Sequence, residues 1–118
     1  MCLIMNRLFG KQEKNMDSES TVIWSKRGKD TYFLVLDYLI ENWSEREVTQ
    51  FINRVELVIK TIGRNPQMFP ASSHYKNIRK ALIDKNNSLF YTIDSYKNRL
   101  ILLTFYDNRQ DPQKFKPY

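Results

Sequence analysis

The sequence predicts an α+β fold: an N-terminal strand and a two-helix antiparallel hairpin packed on one face of an antiparallel sheet of about four strands. Three observations carry this. Residues 20–25, STVIWS, concentrate β-branched and aromatic side chains. Two helical patterns then follow one another with almost no residues between them, which forces a hairpin. Three short apolar runs close the chain, separated by turn-forming residues.

In chain order, Ser25 is positioned to cap a helix running to about Trp43. Leu36, Leu39, Ile40 and Trp43 recur there at i, i+3, i+4 and i+7. Ser44 and Glu47 make an S-x-x-E capping box that starts a second helix at once. Val48, Phe51, Ile52, Val55, Ile59 and Ile62 supply its apolar stripe, and Gly63 with Asn65-Pro66 stops it. Residues 66–75, PQMFPASSHY, read as an irregular crossing. The strands expected beyond it are 77–84, 89–94 and 99–106, with KNNS and SYKN in the gaps. With the hairpin on one face, the opposite face and the strand ends are left to carry excess positive charge.

At 118 residues the chain suits a single domain, expected over 20–118, behind a polar, flexible lead-in at 1–19. An apolar fraction of 42% with 14% aromatics fits a filled core. Met16 is a second candidate start. One cysteine, Cys2, excludes a disulfide framework and suits a reducing compartment. The four-residue run CLIM is too short for a signal peptide or a span, so a cytoplasmic protein without a membrane partner is expected.

The formal charge of +6 is unevenly spread. Residues 1–59 hold 8 Lys/Arg against 9 Asp/Glu, and residues 60–118 hold 11 against 4. The surplus sits in the C-terminal half, which suggests a face that meets nucleic acid or an acidic protein.

Several chemistries drop out. One histidine, His74, allows neither a His-based zinc site nor a pair of imidazoles, and no nucleophile motif flanks it. None of the three glycines sits in a phosphate-cradling pattern. Asp107 and Asp111 beside Arg109 suit ion pairing better than metal ligation, since no third carboxylate is near. No cofactor or metal is therefore expected. What remains is a basic, aromatic set: Lys76, Arg79, Lys80, Lys85, Tyr91, Tyr106, Arg109 and Lys114. Strand alternation sends Arg79 and Lys80 to opposite faces, so only one can share a surface with residues across the sheet. Tyr91 reads as a core residue with its hydroxyl hydrogen-bonded.

The order of these elements resembles the RelE/ParE superfamily of bacterial type II toxin–antitoxin toxins over about residues 21–116. The carriers are VIWSKRGKDTYFLVLDYL, the P-x-x-F-P loop after the second helix, IRKALIDKNNSLFYTID, and above all ILLTFYDNRQDPQKF. The last is similar to the family's D-x-R-x-x-P-x-K ending. The resemblance implies one of two activities. RelE-like toxins enter the ribosomal decoding site and cut mRNA, whereas ParE-like toxins bind DNA gyrase and are not nucleases. Either is held by a cognate antitoxin in a hetero-oligomer.

Attack by a 2′-hydroxyl needs a proton acceptor, a donor for the leaving oxygen and cations on the phosphate. By position, Arg109 matches the arginine after the final strand, and Arg79 or Lys80 the basic position on the second. On the endoribonuclease reading, Lys80 or Lys85 would accept the proton, Tyr106 would donate one, and Arg79 and Arg109 would stabilise charge. Lys76, Tyr91, Asp107 and Lys114 would bind RNA or partner, Asp107 orienting Arg109. The chain departs from the family in Ser88, where a basic residue is expected before LFY. It also has Tyr106 and Asp107 where some members carry a histidine. These departures favour the gyrase reading, whereas the basic C-terminal half and the arginine-bearing strand end favour RNA cleavage. A ribosome-dependent mRNA endoribonuclease that inhibits translation is the expected function, with non-enzymatic gyrase inhibition as the alternative.

Overall fold

A computed structural model describes residues 21–72 and 75–109. The expected lead-in at 1–19, His74 and Lys114 lie outside the described residues. The elements run β1 (Thr21–Trp24), α1 (Lys26–Asn42), α2 (Glu45–Arg64), β2 (Ile78–Leu82), β3 (Asn87–Asp94) and β4 (Arg99–Asp107). The four strands form one sheet in the order β1-β4-β3-β2. β2, β3 and β4 are an antiparallel meander, as expected. β1 instead runs parallel to β4, from Thr21↔Arg99 to Trp24↔Leu102, so the sheet is mixed rather than antiparallel. Strand direction is set here by a partner some eighty residues along the chain, and no local pattern reports it.

Ser25 does more than cap α1. Its Oγ accepts from the Gly28 N–H (2.9 Å) and donates to the Leu103 carbonyl (3.0 Å), while its own N–H reaches Leu102 O (3.1 Å). The helix start is thereby fastened to β4 just where β1 ends. Beyond that point β1 no longer covers its edge of β4, and Thr31 Oγ1 accepts from the Phe105 N–H (2.9 Å).

The buried row of α1 is Gly28, Tyr32 and Leu36, with Val35 and Leu39 partly covered. The expected stripe also held Ile40 and Trp43, but these are 53% and 52% exposed. Anchoring through Ser25 and Gly28 sets the helix's rotation from its first turn, so the i, i+4 row from Gly28 is the one that meets the sheet. α2 follows its expected stripe: Val48, Phe51, Ile52, Val55 and Ile62 are buried. Ser44 Oγ accepts from the Glu47 N–H (3.3 Å), and the helix ends at Arg64 with Asn65 as its cap.

The sheet has two unlike faces. On the helix side, Ala81, Leu89, Tyr91, Leu100, Leu102 and Phe105 join the helices in the main core. On the far side, Ile78, Phe90 and Tyr106 are buried in a second small cluster with Tyr75 and Leu103. That face was expected to gather the surplus cations, and it is largely apolar instead. β3 is the cause, because LFY puts Leu89 and Tyr91 on one side and Phe90 on the other. Phe90 pairs with Thr104 but Tyr91 pairs with Leu102, leaving Leu103 as a bulge in β4.

Candidate functional site

Arg79 and Tyr91 face each other across β2 and β3 on the helix side, and both hold the P-x-x-F-P loop. Arg79 Nη1 donates to the carbonyls of Phe69 (2.6 Å) and Gln67 (3.4 Å), and the Tyr91 hydroxyl donates to Pro66 O (2.7 Å). The loop also pairs with the outer edge of β2, through Lys80 N–H to Pro70 O (3.2 Å) and Ser72 N–H to Ile78 O (2.7 Å). Tyr91 is fully buried, and burial pushes its hydroxyl up to about 12, against the pull of the Arg79 charge. Arg79→Ala is expected to cost about 1–3 kcal/mol, because the Phe69 carbonyl loses a charged donor. Urea unfolding checks this, and the loop's amides should lose hydrogen-exchange protection before the rest of the sheet.

Lys80 lies on the other face. Its ammonium sits 5.9 Å from the Phe90 ring centroid, and Phe90 meets Tyr106 edge-on at 5.9 Å. Lys76 and Lys85 are exposed, the first in the turn before β2 and the second in the turn after it. Ser88, at the position where the resemblance implies a cation, is fully buried, and its Oγ donates to Asn108 Oδ1 (2.7 Å). Asn108 in turn reaches Lys85 O (3.3 Å) and Asn86 O (2.8 Å), closing the end of β4 onto the β2–β3 turn.

At the end of β4, Arg109 grips Asp107 with both arms of its guanidinium: Nε to Oδ1 (2.9 Å) and Nη2 to Oδ2 (2.8 Å). The Arg109 backbone N–H adds a third bond to Oδ1 (2.9 Å). The Arg109 guanidinium holds the Asp107 carboxyl below the usual carboxylate range and has its own pKa raised by that carboxylate, with Tyr38 beside it. A depressed carboxyl pKa contributes stability above the unfolded value, about 3.9, and loses it as pH falls through the lower folded value. An NMR titration should therefore give Asp107 a midpoint below about 3.9, which Arg109→Ala should move upward.

This pair lines a groove of about 730 Å³ between the two helices and the sheet end. One wall is apolar, from Leu34, Tyr38 and Trp43 of α1 and the loop after it. The other is polar, from Arg46, Glu47, Gln50 and Arg54 of α2. The sequence reading missed this groove, because Leu34 and Tyr38 fall outside the stripe it followed. Apolar residues on a second side of α1 were the available signal. The expected site residues thus separate into Arg79 with Tyr91 under the loop, Lys80 with Tyr106 on the far face, and Asp107 with Arg109 in the groove. Among the described residues no group of three or more His, Cys, Asp or Glu could hold a metal ion, and no helix is long and apolar enough to cross a membrane.

No protein-family model matches the sequence, and no curated protein matches it. Solved structures do share the architecture. A chain of the chromosomal ParDE TA system from P. aeruginosa superposes with a TM-score of 0.65 at 9% identity, covering 77% of this chain and 98% of its own. A chain of the E. coli DinJ-YafQ toxin-antitoxin complex gives 0.54 at 11%, over 75% of this chain and 92% of its own. One from the Mycobacterium tuberculosis RelBE2 toxin-antitoxin complex gives 0.53 at 17%, over 76% and 99%. The fold is RelE/ParE-like, in keeping with the sequence resemblance.

Proposed function

We propose that this chain, on its RelE/ParE-like fold, is the toxin of a bacterial type II toxin–antitoxin system and acts by binding its target, as ParE-like toxins do with DNA gyrase. The observation that carries the mode of action is the separation of the cations. Cleavage by 2′-hydroxyl attack needs proton acceptor, proton donor and charge stabiliser within reach of one phosphate. Arg79 is bound to loop carbonyls on the helix side, Lys80 points from the opposite face, and Arg109 is neutralised by Asp107. A protein that blocks its target needs none of these to converge. The toxin–antitoxin complexes that share the fold support a protein antitoxin as partner.

A second reading, a ribosome-dependent mRNA endoribonuclease, draws on the Lys80–Phe90–Tyr106 cluster, which joins a cation, a stacking ring and a hydroxyl on one face. Pulse expression separates the two. The binding reading expects growth arrest with DNA damage and filamentation, intact messages, and arrest that persists in a Lys80→Ala/Tyr106→Phe variant. Messages cut within codons, with cutting abolished by that variant while the protein stays folded, would overturn it in favour of the nuclease.

A further inference from the structure

We propose that the outer flank of α1 is a self-association surface, pairing antiparallel with α1 of a second copy about a two-fold axis near Phe33. This surface is independent of the toxin reading above. The charges of α1 run against its macrodipole. Its first turn carries Lys26, Arg27 and Lys29 with no acidic residue, and its last turn carries Glu41 with no basic one. α2 obeys the dipole, with Glu45 and Glu47 in its first turn and Arg64 in its last. Lys26 bridges to Asp30 (3.2 Å), but both side chains are mostly exposed, so that pair contributes little. The N-terminal half of α1 still holds three cations against one carboxylate. The C-terminal half holds Asp37 and Glu41 against no cation. Such a helix loses stability alone, and an antiparallel copy turns the same charges into attraction.

Between the charged ends lie Phe33 and Ile40, one heptad apart and 42% and 53% exposed. Neither lines the groove, whose α1 wall is built from Leu34, Val35, Tyr38, Leu39 and Trp43. With Phe33 on the axis, Lys29 stands opposite the second copy's Asp37, and Lys26 opposite its Ile40–Glu41 turn. The two-fold repeats each match. A parallel alignment would instead set Lys26 and Lys29 against themselves and Asp37 against itself. Phe33 and Ile40 therefore supply the apolar area, and the charges fix the direction. One flank of a 17-residue helix makes an interface below about 1,200 Å², so the association is weak and reversible.

The test is sedimentation of the full chain from about 1 to 300 μM, with NMR amide shifts followed over the same range. Self-association should rise with concentration, shift residues 26–41, and weaken as salt is added. Lys26→Glu/Lys29→Glu and Asp37→Lys/Glu41→Lys should each weaken it about tenfold or more. Both variants should melt no lower than the unaltered chain, because each removes one end's conflict with the dipole. Mixed one to one, they should restore the dimer, since the acidic flank of one then meets the basic flank of the other. Phe33→Ser should abolish association, and Arg46→Glu/Arg54→Glu, in the groove, should leave it unchanged. The proposal is overturned by a chain that stays monomeric throughout, by association indifferent to both charge swaps, or by a mixture of folded variants that remains monomeric. It is overturned equally by concentration-dependent shifts centred on the groove or the sheet, which would put the contact on another face.

Discussion

Tyr32→Ala is expected to remove about 3–5 kcal/mol of stability, a large share of the roughly 5–15 kcal/mol that holds a small domain folded. Tyr32 is fully buried and touches every layer of the molecule. Its ring centroid lies 5.3 Å from Trp24 in β1, 5.0 Å from Phe105 in β4 and 6.2 Å from Phe51 in α2. Truncation would leave a cavity whose walls belong to three elements, and such a cavity collapses poorly. Urea denaturation with far-UV circular dichroism gives the number. A loss below about 1.5 kcal/mol, the range of a tolerated core swap, would mean that α1 is held by its first turn alone.

The second large effect concerns Gly28, where two magnitudes oppose each other. In an exposed helix interior, Gly→Ala gains about 1 kcal/mol from propensity. Here a Cβ would stand 2.6 Å from the Leu102 carbonyl oxygen and 3.2 Å from Ser25 Oγ. The first of these is backbone within the central sheet and cannot swing aside. The same contact region contains the bonds from Ser25 to Leu102 and Leu103, so pushing α1 away would break them. Overpacking of this kind costs about 1–3 kcal/mol, so Gly28→Ala should be destabilising by up to about 2 kcal/mol net, and Gly28→Val by more. Thermal melts of both variants check the order. A stabilised Gly28→Ala would show that α1 shifts freely over β4. Gly63, with nothing within 4 Å of its would-be Cβ, is the internal control: Gly63→Ala should be near neutral or mildly stabilising.

Parts of this molecule were readable from local residue chemistry. The serine caps at 25 and 44, the stripe of α2, its stop at Asn65 and the three-strand meander all express short-range rules, because each depends on neighbours within one or two turns of chain. Tyr91 as a buried, hydrogen-bonded residue was equally legible, since a large aromatic with a polar tip in an apolar strand has few other uses. The Asp107–Arg109 pair followed from their spacing and opposite charge.

The sequence by itself determined the kinds of elements, their order, and the split of Arg79 and Lys80 to opposite faces, since strand alternation is a property of the backbone. Only the tertiary structure decided that β1 runs parallel to β4, that Ile40 and Trp43 leave the core, and that the far sheet face buries Phe90 and Tyr106. It also decided that Arg79 fastens a loop and that Arg109 lies in a groove beside Tyr38. The physical reason is common to all of these. Each depends on which surfaces meet across tens of residues of chain, and that outcome comes from the packing of the whole core, which no local pattern encodes.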